Sequence, residues 1–251
     1  MPNKNLISIL NSRIQEHINK KYITFLFIAL LIICSIELFS ANPNRNFWNL
    51  LVCQYTNQIT NISFFAIIII NDLLYVREFR NQIYIYNRIG EYKKIVLIDI
   101  MAIIKMSLII FLSFTILNIS FAFIKSQGNY VFINDTYYLM PELLYLFFFI
   151  VKYIIYALIV AIIVYLLYRI QNKIITYLFC TLLLLTITII PNFDNKILDV
   201  ISSPLTIISY LSRSPFIDFY TEVICSIANI LLYIVICYLL YNNVCKRKSD
   251  V

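Results

Sequence analysis

Residues 95–119 read IVLIDIMAIIKMSLIIFLSFTILNI, an apolar run interrupted by only two charges, Asp99 and Lys105. A helix needs about 20 mostly apolar residues to cross a ~30 Å hydrocarbon core, and this run is long enough. Five further stretches meet or approach the same requirement: Tyr22–Ser40, Leu51–Tyr75, Leu143–Tyr168, Ile174–Ile190 and Val223–Tyr241. Pro2, Pro43, Pro141, Pro191, Pro204 and Pro215 all fall outside these stretches or at their edges. That is required where every backbone hydrogen bond must close inside its own helix. The expected fold class is an all-α integral membrane protein with six transmembrane helices.

Composition leads to the same place. With 61% hydrophobic and 13% charged residues over 251 positions and a mean hydropathy of +0.83, the chain has more apolar surface than one soluble core hides. The net charge of +7 would suggest nucleic acid in a soluble protein, but here the cations gather at the ends of apolar runs. They set orientation, and no nucleic-acid partner is expected. The wealth of Ile, Asn, Lys and Tyr beside two Gly fits an AT-rich genome and a low-GC bacterium.

Lysine and arginine are retained on the cytoplasmic side of a span. One side collects Lys4, Arg13, Lys20, Lys21, Arg77, Arg80, Arg88, Lys93, Lys94, Arg169, Lys173, Lys246, Arg247 and Lys248; the other holds Arg45, Lys125, Lys196 and Arg213. Both termini are therefore expected in the cytoplasm, with the chain in a bacterial cytoplasmic membrane. Polar residues precede the first span and no small-residue cleavage site follows it, so that span is expected to be retained.

The division expected is a cytoplasmic interfacial helix over residues 1–21 and a transmembrane domain over 22–251. In the first part Leu6, Leu10, Ile14 and Ile18 repeat every four residues, while Lys4, Asn11, Arg13, Gln15, Glu16 and Lys20 face away. The pattern describes an amphipathic helix lying in the interface, as a surface anchor or as an elbow bracing the bundle. Between spans two and three, residues 77–94 read REFRNQIYIYNRIGEYKK and mix charges with Phe79, Ile83, Tyr84, Tyr86 and Ile89. Gly90 is expected to end a short helix or turn the chain. Such a segment is either a docking surface for another protein or a polar loop carrying orienting charge. On the other side, residues 191–220 alternate apolar groups with Ser202-Ser203-Pro204 and Ser212-Arg213-Ser214-Pro215. Helices that short re-enter or lie on the outer leaflet, where they would form an external gate.

Polar residues within the spans are the candidate functional groups. Gln54, Asn57, Gln58 and Asn61 share one face of span two by their spacing of three and four, as helix-to-helix glue, a dimer interface or a substrate lining. Lys105 and Lys152 are expected near the middle of spans three and four, where an unpartnered lysine costs on the order of 3 kcal/mol. Glu37 and Asp99 are the candidate counter-ions. The lysines line a hydrated path for an anionic or amphipathic substrate, or they serve structural ion pairs.

Together these features resemble the permease subunits of the second type of ATP-binding-cassette exporter. The likeness covers nearly the whole chain: an interfacial helix, six spans with cytoplasmic ends, a cytoplasmic segment between spans two and three, and short external helices between spans five and six. Arg77-Glu78, followed by Arg88, Gly90 and Lys93-Lys94, looks like the coupling segment of small permeases from low-GC bacteria. The resemblance implies that Arg77, Glu78, Phe79, Arg80, Tyr84, Tyr86, Arg88 and Gly90 meet a separate ATPase, present in two copies. It also implies that a second permease chain, identical or homologous, completes one pathway. A phosphate-cradling loop needs a glycine-rich turn with Lys and Ser or Thr, and Gly90 and Gly128 are the only glycines. No cofactor is expected on this chain, with ATP and Mg on the partner.

Other chemistries find little support. His17 has no second histidine, so metal hydrolysis and Ser-His or Cys-His catalysis are not expected, and it is read as a surface residue. Cys34, Cys53, Cys180, Cys225 and Cys237 fall in spans and Cys245 just beyond, without a C-x-x-C pair, and they read as small buried hydrophobes. The expected function is a non-enzymatic export permease for a peptide, drug or lipid-like substrate. Two alternatives are the substrate-binding component of an energy-coupling-factor importer and a non-transporting immunity or sensor protein.

Overall fold

The computed structural model describes residues 2–17, 20–40, 47–56, 58–79, 92–127, 142–170, 173–189 and 219–246. Among these, every regular element is helical: α1 (Pro2–His17), α2 (Lys20–Ser40), α3 (Phe47–Thr56), α4 (Gln58–Phe79), α5 (Tyr92–Ser126), α6 (Glu142–Ile170), α7 (Lys173–Ile189) and α8 (Phe219–Lys246). Four helices carry stretches long and apolar enough to cross a membrane: Ile59–Arg77, Tyr92–Ser126, Ile150–Ile170 and Ser226–Lys246. The described apolar stretches of α2 and α7, Thr24–Ser35 and Lys173–Leu184, are shorter.

The boundaries follow local chemistry. Pro141 directly precedes α6, a position where its missing N–H costs nothing, and α7 stops two residues before Pro191. Arg77, Lys125, Arg169 and Lys246 occupy last turns, where cations complement the exposed carbonyls. Gln127 leaves α5 with φ at 48°, a left-handed residue of the kind that closes a helix.

Helix α6 is the axis of the bundle, packing against α3, α4, α5, α7 and α8. Helices α2 and α3 lie on α5, and α1 lies on it too. At the middle, Tyr153 stacks on Phe114 with centroids 6.0 Å apart, and Tyr55, Phe64, Phe65 and Phe111 surround the pair. Outward faces are apolar as well, for instance Phe25, Leu112, Ile116, Phe123, Leu178 and Leu231. A bundle apolar both inside and outside is built for lipid.

Two expectations need correction. Arg13 does not face away from the bundle and His17 is not on the surface, because each is only 2% exposed. Among the described side chains the buried stripe of α1 is Leu10, Arg13, Ile14 and His17, spaced three and four apart, with Leu10 partly buried against the core. Within the run expected as a second span the described residues form α3 and α4, and Asn57 between them lies outside the described residues. So does most of residues 77–94 and 191–220, including Arg80, Tyr84, Tyr86, Arg88 and Gly90.

Candidate functional site: a buried carboxylate shared by four helices

Asp99, seven residues into α5, is fully buried. Each of its oxygens receives one arginine and one tyrosine. Oδ1 is paired with Arg13 of α1 and accepts the Tyr75 hydroxyl of α4 at 3.0 Å. Oδ2 accepts Arg169 Nη2 at 2.7 Å and the Tyr165 hydroxyl at 3.0 Å, both from α6. A carboxylate offers about four lone-pair sites, so this one is filled. Arg169 also lies over the Tyr165 ring, 5.6 Å from its centroid, as their i, i+4 spacing on α6 allows.

The cluster continues along α1. His17 Nε2 lies 3.4 Å from Asn71 Oδ1, and its ring meets Tyr75 edge-on at 5.5 Å between centroids. Asn71 Nδ2 donates to Asp72 Oδ1 at 3.0 Å, and Asp72 is also fully buried. Asn71 and Tyr75, like Arg13 and His17, are one helical turn apart and so point the same way. One continuous polar network therefore ties α1, α4, α5 and α6 together. Breaking a buried pair by removing one partner costs about 3–5 kcal/mol, so each pair in the network favours keeping these helices together.

The expected candidates are scattered around this hub. Arg77 is exposed at the end of α4, and Glu78 and Phe79 continue that helix. Lys105 is exposed and donates to Asn11 Oδ1 of α1 at 3.4 Å. Lys152 is buried, with Nζ 5.7 Å from the Phe148 ring centroid. The two lysines are not alike, and the cations on Asp99 are Arg13 and Arg169. Of the amide face, Asn61 is buried and accepts the Tyr153 hydroxyl at 2.9 Å, a contact between α4 and α6. The side chains of Gln54, Gln58 and Glu37 lie outside the described residues.

Further pairs join helices in the interior: Tyr55 donates to Thr115 at 3.0 Å, and the Cys34 thiol to Asn118 Oδ1 at 3.1 Å. Cys34, Cys180, Cys237 and Cys245 are free thiols. Among the described residues no group of three or more His, Cys, Asp or Glu side chains gathers as a metal site. Compared with protein-family models, curated proteins and solved structures, the chain matches none.

The sequence reading missed Arg13, His17, Tyr75, Tyr165 and Arg169. Their signal is a buried acid in need of cations, set against arginines and tyrosines at i, i+4 spacing near the same ends of neighbouring helices.

Proposed function

We propose that the chain is the membrane-spanning permease subunit of an ATP-driven exporter. In this reading it has six spans, both termini in the cytoplasm of a bacterium and its ATPase on a separate chain. The observation that supports it best is the Tyr75–Asp99 bond within the four-helix polar hub. A permease moved by another chain needs a stiff joint between the segment that receives the movement and the helices that pass it on. Residues 77–94 leave α4 two residues after Tyr75 and join α5 shortly before Asp99. The hub therefore closes the base of that segment, with Arg169 extending the joint to α6 and Arg13 extending it to α1. Movement at Arg77, Arg80 or Arg88 would reach the axis of the bundle without being lost in flexible side chains.

The partners of this reading are two copies of the ATPase, which bring ATP and Mg, and a second permease chain, identical or homologous. The substrate is a peptide, drug or lipid-like molecule. Lys152, the amide face of Gln54, Asn57, Gln58 and Asn61, and Glu37 would border either the pathway or the contact between the two permeases. A second reading, a non-transporting immunity or sensor protein, draws support from the Tyr153-centred aromatic packing that fills the middle of this single chain.

The test is to tag the chain, extract it from its own cells in mild detergent, and identify what co-purifies by mass spectrometry and vanadate-sensitive ATP hydrolysis. The permease reading expects an ATP-binding-cassette protein that is lost when Arg77 and Arg80 are both changed to Glu. A chain that purifies without any nucleotide-binding partner would sink it in favour of the second reading. A reporter active only outside the cytoplasm, fused after Val251, should stay silent if both termini are inside.

A further inference from the structure

Helix α5 has 35 residues. At 1.5 Å per residue that is roughly 52 Å, against a hydrocarbon core of about 30 Å. Some 20 Å of it must lie outside the hydrocarbon, and its charges indicate which part. Lys105 and Lys125 bracket Met106–Ile124, which carries no charge. That stretch is about 28 Å long, close to one bilayer core.

Two independent observations put water or headgroups at the depth of Lys105. First, Lys105 is exposed, and the helix it bonds to exposes Ser8, Asn11, Ser12 and Gln15 around the contact. Exposed polar side chains in such number do not sit in hydrocarbon. Second, the Cys34–Asn118 bond fixes the register of α2 against α5. The two helices run parallel, because α2 begins just after His17, which touches Tyr75 and so lies at the Asp99 end of α5. Stepping back from Cys34 and Asn118 by equal lengths brings Lys20 and Lys21 to the depth of Lys105.

We infer that the phospholipid headgroups on this side meet the protein at the level of Lys20, Lys21 and Lys105, and that the Asp99 hub is a water-side assembly beneath them. The partner of Lys105 is the phosphate layer of the bilayer. Tyr92–Ile104 then projects from the membrane by about 20 Å, carrying α1 along its side. Lys105 anchors the protein at the bilayer surface and does not line a pathway at the midplane. This inference does not depend on the permease reading, since it concerns only where the bilayer meets the chain.

Depth-dependent fluorescence quenching tests it on the full chain. Trp48 is the only tryptophan. In a Trp48→Phe background, single tryptophans are placed at Leu97, Met101, Ile109, Leu112, Ile116 and Phe123, all exposed on α5. The protein is reconstituted in phosphatidylcholine and phosphatidylglycerol vesicles brominated at defined acyl positions. Quenching by deep bromines should peak at Ile116→Trp. It should be about three-fold or more weaker at Met101→Trp and Leu97→Trp, which lie roughly 22 Å and 28 Å along the helix from that point. Those two should respond to aqueous iodide instead. Deep quenching at Met101→Trp or Leu97→Trp equal to that at Leu112→Trp would overturn the inference. The two positions serve as separate probes should one variant fold poorly.

Discussion

Arg13, from the polar N-terminal helix, is held against Asp99 of α5 in an ion pair whose two side chains are 2% and 0% exposed. Asp99 serves Arg169 as well. Asp99→Asn would remove the carboxylate that the two buried guanidinium groups of Arg13 and Arg169 share. We expect a loss of about 3–5 kcal/mol, read as a lower apparent Tm of the purified chain in detergent. An unchanged Tm would mean that the hub does not hold the helices together.

Removing the other partner is a milder change. Arg13→Met leaves Asp99 with Arg169, Tyr75 and Tyr165, so its carboxylate keeps a cation and two hydroxyls. This variant should be less destabilised than Asp99→Asn, while α1 exchanges its amide hydrogens faster. The double variant should cost less than the sum of the two, by about 0.5–3 kcal/mol, as for residues in direct contact. Full additivity in a thermal-unfolding series would argue that Arg13 and Asp99 do not interact in solution.

How far the sequence discloses this arrangement depends on the type of signal. The helices themselves are legible, because α2, α5, α6, α7 and α8 each follow an apolar run that ends near proline, charge or polar residues. The face of α1 is legible only in part. Counting apolar residues selects Leu6, Leu10, Ile14 and Ile18; among the described side chains Leu10 and Ile14 do face the core, but so do Arg13 and His17. Arg13 is a residue that periodicity assigns to water and His17 one read as a surface residue for want of a second histidine; the distant Asp99 pairs with the first, and Asn71 and Tyr75 meet the second. Lys105 and Lys152 are alike as single charges within apolar runs, yet one is exposed and the other buried. The difference comes from which neighbours pack around each helix, which hydropathy along one helix does not contain.

Tyr153 joins two kinds of interaction, an hydroxyl donated to Asn61 and a ring stacked on Phe114. The two are separable. Tyr153→Phe keeps the ring and removes the interhelical bond, a loss of about 0.6 to 1.7 kcal/mol. Tyr153→Ala also removes the ring from a closely packed core and should cost about 3–5 kcal/mol. The comparison is made by unfolding both variants in the same detergent. Equal losses would show that the hydroxyl, and not the ring, holds α6 at the centre.

Helix α8 poses the opposite case. Only 11% of its apolar stretch is buried, against 56% to 61% for the stretches of α4, α5 and α6, and its contacts run chiefly to α6. Tyr233 is buried, while Ile227, Leu231, Ile234 and Tyr238 form an exposed stripe spaced three and four apart. If lipid covers that stripe, Leu231→Ala exchanges side-chain contact with lipid in both the folded and the unfolded state. Its effect on stability should then stay within about 0.5 kcal/mol. Tyr233→Ala removes packing inside the chain and should cost about 3 kcal/mol. The pair is best measured in nanodiscs by chemical unfolding, where lipid is present. A loss above about 1 kcal/mol at Leu231 is more than an exchange of lipid contacts supplies. It would mean that protein covers this face of α8, as a second permease chain seated there would.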